Sequence, residues 1–462
     1  MERWLRISVQ DATITGMQTP APNPPDDFTQ NPVFLALPQK EQDFLASLQL
    51  TYRLSYQMMR MLVEQAADLT LWKETPLSEL WDEEAGKDLQ GKPRAKAILE
   101  DLIRKTTLLR QQETDYSSFE PPDILPAKPV QVVTSPAEET ILGRCPCPVS
   151  GEKTRCCNLE TLDAVRQCGF ACSYCSIQSF YHDNEVLFMD NLHYRLENLK
   201  LGPQSWHIGT GQASDSLMWG DDHGLLTALG SFARRNPDLV LELKTKSART
   251  DWVGKIALPQ NVLATWSLNA PTIIEKEEHL TATLHQRLRA ARKVADSRLL
   301  VGFHLHPLVY FKGWEEEYGE VVHQITTLFK PEEVALVSLG TLTFTKAVLR
   351  QLRSSGKATR ILEMELVESA GKFSYPVAVK KKLFSHAMDS FPTAWKTENG
   401  PFFYLCMELP ELWEPVLHRS YPDNATFERD MRKAYTGKIS ALRQKNATSS
   451  SYNQSIVDNS SI

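Results

Sequence analysis

The sequence has no apolar run long enough to cross a bilayer. Its first residues, Met1 to Gln10, mix charges and lack an apolar core followed by a small-residue cleavage site, which reads against a secretory signal. A cytoplasmic location, with no membrane contact, is therefore expected. No internal repeat is visible. Positive charge is not in excess either, because 51 Lys and Arg stand against 57 Asp and Glu for a net charge of −6. The global basic footprint usual for proteins that live on nucleic acid is missing, so only a local basic surface remains open for such contact. Cysteine is scarce, with 8 in 462 residues. Seven of these eight fall between Cys145 and Cys175. A secreted disulfide framework spreads its cysteines through a small chain, whereas crowding inside a large one points to metal chemistry.

The length favours two or three domains. Residues 1–40, rich in Pro, Asp and Gln, read as an irregular leader. Over 41–71 apolar residues recur every three or four positions, and a second helical stretch runs over about 77–112, so residues 41–119 are expected to form an N-terminal helical module. Residues 120–144 begin with a Pro-rich stretch and read as a linker. Over 145–417 short apolar runs at 205–208, 239–243, 262–267, 299–304 and 333–338 alternate with helical stretches. This alternation predicts an α/β fold, a partial or complete (βα) barrel with its chemistry at the C-terminal ends of the strands. A C-terminal helix over 418–444 and a disordered tail over 445–462 complete the expected order.

The chemistry-bearing motif is Cys168-x-x-x-Cys172-x-x-Cys175, with Tyr174 just before the last cysteine. The spacing lets one short loop present three thiolates to three irons of a [4Fe–4S] cluster and leave the fourth iron open, where structural clusters use four cysteines. Zinc and a redox-active thiol group are the competing readings, but zinc sites more often pair two knuckles at longer range. Upstream, Cys145, Cys147, Cys156 and Cys157 read either as a second metal site or as a reduced, buried set. Cys406 reads as a core cysteine. His304 and His306 share one face near a strand end. The basic runs at Arg287–Lys293 and Lys380–Lys382 read either as a phosphate-binding surface or as solvated faces.

The stretch from Cys168 to Gln178 resembles the cluster loop of the spore photoproduct lyase family of radical S-adenosylmethionine (SAM) enzymes. Trp206 to Asp215, Lys244-Thr-Lys246, Trp266 to Asn269, Arg287 to Val294, Val301-Gly-Phe303 with Gly313-Trp314, and Phe344-Thr-Lys346 follow in the family's order. The resemblance spans about residues 156–408. It implies a barrel of radical SAM type, a [4Fe–4S] cluster held by Cys168, Cys172 and Cys175, and S-adenosyl-L-methionine on the open iron. Reductive cleavage of SAM would then start hydrogen-atom abstraction from the substrate, a DNA thymine photoproduct in the family. A DNA or other nucleic-acid substrate and a one-electron reductant such as flavodoxin or ferredoxin are the implied partners. Gly209, Gly211, Ser214, Lys246, Ser267 and Asn269 are candidate SAM contacts, and Tyr174 and Gln212 are candidate catalytic residues.

The sequence departs from the family at informative places. Gln212 stands where the lyases carry the cysteine that returns a hydrogen atom to the repaired base, and a glutamine has no weak S–H bond. Ser176 replaces a tyrosine, and Lys372-Phe373 replaces an Arg-Tyr pair near the lesion. A radical SAM enzyme of another substrate, or a non-catalytic iron–sulfur sensor, are the alternative readings.

Overall fold

The computed structural model describes residues 27–123, 128–136, 138–145, 153–179 and 185–459. Several apolar runs are buried at every position; Val262–Leu268 is the clearest case. Strands hidden on both faces belong to parallel sheets covered by helices. Eight strands form the main sheet: β1 (Leu142–Arg144), β2 (Glu160–Leu162), β3 (His207–Gly209), β4 (Val240–Thr245), β5 (Val262–Leu268), β6 (Leu300–Leu308), β7 (Val334–Thr341) and β8 (Phe402–Leu405). Their order in space follows their order in the chain. β2 to β8 pair in parallel, and β1 adds antiparallel to β2 at one edge. Such single winding carries every strand's C-terminal end to one rim, as in a barrel. The ends β1 and β8 are not paired with each other, so the architecture is a curled half-barrel.

Helices Leu225–Arg235, Leu284–Asp296, Trp314–Leu328, Lys346–Ser355 and Val377–Ser390 cover the sheet. Local signals start them where the sheet needs them. Thr283 and Gln286 close a capping box that begins Leu284–Asp296, and Thr345 caps Lys346–Ser355 by accepting from the Val348 amide. At the open side, residues 153–157 lie against the end of β8, with the Arg155 amide donating to the Glu408 carbonyl at 2.9 Å. The helix Asn424–Asn459 sets Tyr435 against Trp206, His207 and Phe402, bridging β3 and β8.

Several expected boundaries shift. The stretch 41–71 is two helices, Gln39–Tyr52 and Tyr56–Trp72, because Arg53 turns left-handed (φ 48°) and Ser55 caps the next helix through the Met58 amide. The stretch 77–112 divides into Leu77–Leu80 and Gly91–Gln111. The leader ends earlier than residue 40, with helical turns at Phe28–Gln30 and Pro32–Leu35, while residues 1–26 lie outside the described residues. The supposed linker supplies β1 and a further strand, Val130–Val133, paired in parallel with Val186–Met189. The tail expected to be disordered from residue 445 continues the C-terminal helix to Asn459, leaving 460–462 outside the described residues.

The helical module is fastened to the barrel by buried charge. Asp68 on Tyr56–Trp72 accepts from Arg353 at 2.7 and 2.9 Å and from Arg110 at 2.7 Å. Arg360 reaches the Trp72 carbonyl, the Asp115 carbonyl and Glu74. Asp68 is 1% exposed, and Arg110 and Arg353 keep 22% and 18% of their side-chain surface. Breaking a fully buried pair costs about 3–5 kcal/mol; the partial exposure of the guanidiniums lowers this to about 2 kcal/mol. Asp68→Ala should therefore lower the urea-unfolding free energy by about 2 kcal/mol. A midpoint shift no larger than that of a control at exposed Lys96 would show that the module is seated by apolar packing alone.

Candidate functional site

The three motif cysteines line one open cavity of about 260 Å³ at the rim of the half-barrel. Around them stand Tyr174, Gly211, Gln212, Ser214, Lys246 and Ser267 from the cysteine loop and from the ends of β3, β4 and β5. The other wall comes from the ends of β6, β7 and β8, with His306, Thr341, Phe344, Cys406 and Met407. Residues distant in the chain therefore meet where parallel-strand architecture places chemistry.

The loop's shape has local causes. Ala171–Cys172 pairs antiparallel with Glu278–His279. The Ser173 amide donates to the Glu277 carbonyl at 2.9 Å, and the Cys175 amide to the Cys172 carbonyl at 3.2 Å. Gly169 lets the turn pack on the β3 loop, since a Cβ there would meet the Met218 methyl at 2.4 Å. Asp215 fixes that facing loop: it accepts from the Leu217 and Met218 amides, from Thr245 Oγ1 at 2.6 Å and from the Lys246 amide at 2.6 Å.

Two adjacent carboxylates organise what lies beneath the loop. Glu277 accepts from Tyr116 at 2.9 Å, from Thr359 at 2.7 Å, from the Arg360 amide at 2.9 Å and from the Ser173 hydroxyl. Burial pushes its carboxyl up, since these partners are neutral. Glu278 accepts from Lys246 Nζ at 2.9 Å, Arg287 at 2.6 Å, Asn269 at 3.2 Å and the Tyr174 hydroxyl. Burial opposes its ionisation, yet Arg287 and Lys246 prevail and hold it down at about 2. Lys246 also touches Ser267 Oγ at 3.0 Å and the Tyr174 hydroxyl at 3.1 Å.

Among the described residues no three His, Cys, Asp or Glu side chains converge on a single ion. A cubane offers each thiolate its own iron, so its ligands border a shared volume, as these three thiols border one cavity. Burial, with Asp215 and Cys175 nearby, pushes the Cys168 thiol up to about 12, and burial raises Cys172 as well. Metal would displace these protons. Three thiols on the wall of one cavity suit an iron–sulfur cluster better than one zinc ion.

The other expected residues divide. Asn269 is fully buried behind the cavity, where it accepts from Tyr318 and donates to Glu278. Gly209 lies one layer deeper, packed on Leu159, and lines a separate inner cavity of about 40 Å³. Gly211 is small because Lys244 packs against it; a Cβ would lie 2.9 Å from Lys244 Cβ. His304 faces inward, bonded through Nε2 to Glu242 at 2.7 Å, while His306 reaches the rim and meets Ser338 at 2.8 Å. Cys406, expected in the core, lines both cavities. Of the upstream cysteines, Cys145 and Cys157 border the inner cavity, Cys156 is buried beside them, and Cys147 lies outside the described residues.

The expected phosphate-binding runs are partly internal. Arg287 is fully buried on Glu278, and Lys380 is buried on Glu408 at 2.8 Å. Glu278 escaped the sequence reading, and Asp215 and Cys406 were given no site role in it, because each acquires its place through distant partners. Locally, Glu278 only ends a charged run, Glu275-Lys276-Glu277-Glu278, which reads as an exposed helix end.

By its fold and site the protein is a parallel α/β half-barrel whose rim carries a three-thiol loop. Residues 222–383 match the family model described as spore photoproduct lyase, and over that segment the chain is spore photoproduct lyase-like. The matched segment begins after the cysteine loop. The spore photoproduct lyase of Clostridium acetobutylicum is 28% identical over 69 residues, covering 15% of this chain and 20% of that protein. That of a Geobacillus species is 31% identical over 117 residues, covering 24% and 32%. The matches thus span a third or less of these relatives' length. Among solved structures, a spore photoproduct lyase complexed with dinucleoside spore photoproduct aligns at 18% identity over 60% of this chain and 82% of that chain, with a TM-score of 0.48. A mutant of the lyase with bound AdoMet and the dinucleoside aligns at 19% identity over 52% and 75%, with a TM-score of 0.44.

Glu278 gives a direct test. Glu278→Gln leaves Arg287 and Lys246 without their counter-charge and should cost about 3–5 kcal/mol of stability in the iron-free chain. The sign with pH follows from the lowered carboxyl. Its contribution is present above the unfolded value near 4.3 and is lost as pH falls towards about 2. Urea midpoints measured between neutral pH and the acid limit should fall less steeply for the variant; parallel curves would remove Glu278 as the source.

Proposed function

We propose that this chain is a radical SAM enzyme of spore photoproduct lyase-like type that acts on a photoproduct or related modified base in DNA. The observation that carries the reading is the meeting of Cys168, Cys172 and Cys175 with Lys246 and Ser267 on one rim cavity. The lyase-like segment, which contains Lys246 and Ser267, supports it.

In this reading Cys168, Cys172 and Cys175 hold a [4Fe–4S] cluster, and Lys246, Ser267, Ser214 and Gly211 border the place of S-adenosylmethionine. When bound, the pair supplies a one-electron cleavage that begins hydrogen-atom abstraction. The chain's own work is placement. Glu278 holds Lys246 Nζ at the cavity, where an ammonium complements a carboxylate group. The same carboxylate holds Tyr174 between Cys172 and Cys175, which steadies the loop. Trp219 Nε1 donates to Ser214 Oγ at 3.1 Å and orients that hydroxyl. Asn269 acts through Glu278 and is a positioning residue.

The substrate wall is formed by the ends of β7 and β8. Beside it, the strand Lys372–Ser374 pairs with Thr343–Phe344, bringing Lys372 within 3.6 Å of Met407 Sδ. This puts Lys372 and Phe373 next to the cavity, a cation and a ring suited to a phosphate and a base. Gln212 on the same rim favours a second reading, a radical SAM enzyme with another substrate. Tighter binding to a duplex that carries the lesion than to the same duplex undamaged, at one fixed salt concentration, separates the two.

The deciding assay is anaerobic, with iron and sulfide reconstituted, a chemical reductant, SAM, and irradiated or unirradiated DNA. The expected result is 5′-deoxyadenosine release with loss of thymine photoproduct. Release without loss of the lesion would overturn the DNA assignment, and an intact cluster with no release would overturn the enzyme. Cys172→Ala should abolish both cluster absorption and release; retained absorption would remove that thiol from the ligand set. Lys246→Met should weaken SAM binding about tenfold, equivalent to about 1.4 kcal/mol. Equilibrium dialysis on the reconstituted protein reads this, and unchanged affinity would place the lysine in a structural role.

A further inference from the structure

Abstraction of a hydrogen atom from a substrate carbon starts a radical reaction, and something must end it. If the atom is not returned by the cleaved cofactor, the rearranged carbon radical needs a donor X–H group in the cavity. Such a donor has a weak bond, keeps its proton at neutral pH and faces the substrate. Thiols meet the first condition far better than amides, alcohols or aliphatic C–H groups. Among the described residues four thiols line the rim cavity: Cys168, Cys172, Cys175 and Cys406. The first three share one loop and are assigned to iron. Cys406 stands apart from them, directly after β8, on the wall that also carries Thr341, Phe344 and Met407.

Its surroundings suit the task. The Cys406 amide donates to the Leu339 carbonyl at 2.7 Å, which ties the residue to β7. Burial, with Cys145 and Cys156 nearby, pushes the thiol up and keeps it protonated, and Lys244 opposes this only in part. Gln212 shares the cavity with it but offers only amide N–H bonds. The Tyr174 hydroxyl is committed to Glu278.

Resting on the radical SAM reading above, we infer that Cys406 is the hydrogen-atom donor to the substrate-derived radical. The Cys406 S–H bond breaks and a product C–H bond forms, the hydrogen moving with one electron. The sulfur is left as a thiyl radical. One electron from the one-electron reductant and one proton from solvent restore the thiol.

Heavy water tests this, because a thiol exchanges its hydrogen with solvent and a carbon-bound hydrogen does not. The reconstituted full chain is turned over in D₂O in two arms, one with SAM alone and one with SAM and dinucleoside spore photoproduct. The native chain, Cys406→Ala and Cys145→Ala are compared, with iron and sulfide content measured for each. The expected product from the native chain and from Cys145→Ala carries one solvent deuterium, and that label is lost in Cys406→Ala at unchanged iron content. In the SAM-only arm the 5′-deoxyadenosine should acquire solvent deuterium by the same dependence on Cys406. Equal labelling in Cys406→Ala, or no solvent deuterium in the native products, overturns the donor. Loss of iron in Cys406→Ala would make it a cluster ligand and also overturn it. If SAM is cleaved but the dinucleoside is untouched, only the DNA assignment falls, and the SAM-only arm still decides on Cys406. No SAM cleavage at an intact cluster overturns both.

Discussion

The site depends on two consecutive buried carboxylates doing opposite things. Glu277 is ringed by neutral donors and Glu278 by cations. A carboxylate with no counter-ion costs heavily in an apolar interior, so Glu277 must be satisfied by hydrogen bonds, and four donors supply them. Glu278 is offset by Arg287 and Lys246 and remains charged. Both grip the cysteine loop, Glu277 at Ser173 and Glu278 at Tyr174. The short pairing of Ala171–Cys172 with Glu278–His279 then becomes a hinge-free seat. Without it the three thiols would hang on a loop whose own backbone bonds are few.

The same pair explains why a helical module precedes the barrel. Glu277 accepts from Tyr116, and the Arg360 amide that also binds it belongs to the arginine that reaches Trp72, Glu74 and Asp115. The module thus contacts the underside of the cysteine loop through one intervening carboxylate. Tyr116 itself stacks edge-on with Phe119 and Phe311, so the link is packed as well as hydrogen-bonded. Core packing accounts for the tryptophans and methionines of the module; its connection to the site runs through Tyr116, Arg360 and Glu277.

What was legible in the sequence was local or periodic. The cysteine spacing is a property of eight residues, and five barrel strands stood out as apolar runs within a few residues of their observed ends. β8 was missed as a strand because only four residues, Phe402–Leu405, carry it. Glu278 was illegible since its partners lie 9, 32 and 104 positions away. The basic runs carry a periodic signal of their own burial. Arg287 sits on the stripe of Leu284, Leu288, Ala291 and Val294, and Lys380 on that of Leu383, Phe384 and Ala387. A charge in register with an apolar stripe is inward-facing and needs a buried counter-charge.

This internal use of positive charge bears on how an acidic chain meets a polyanion. Arg287, Arg353, Arg360 and Lys380 are all bound to buried or half-buried carboxylates. Arg292 is bound to Asp296 and Glu333. These cations hold the protein together and are not available to phosphates. Under the proposed function, attraction of a nucleic acid at the rim rests on Lys244 and Lys372, since Lys246 is held by Glu278. Each phosphate contact contributes to the salt slope, so few contacts mean a shallow one and modest non-specific affinity. Under the proposed function, recognition has to come from the shape and chemistry of the base admitted to the cavity. In that reading undamaged DNA should be held only weakly.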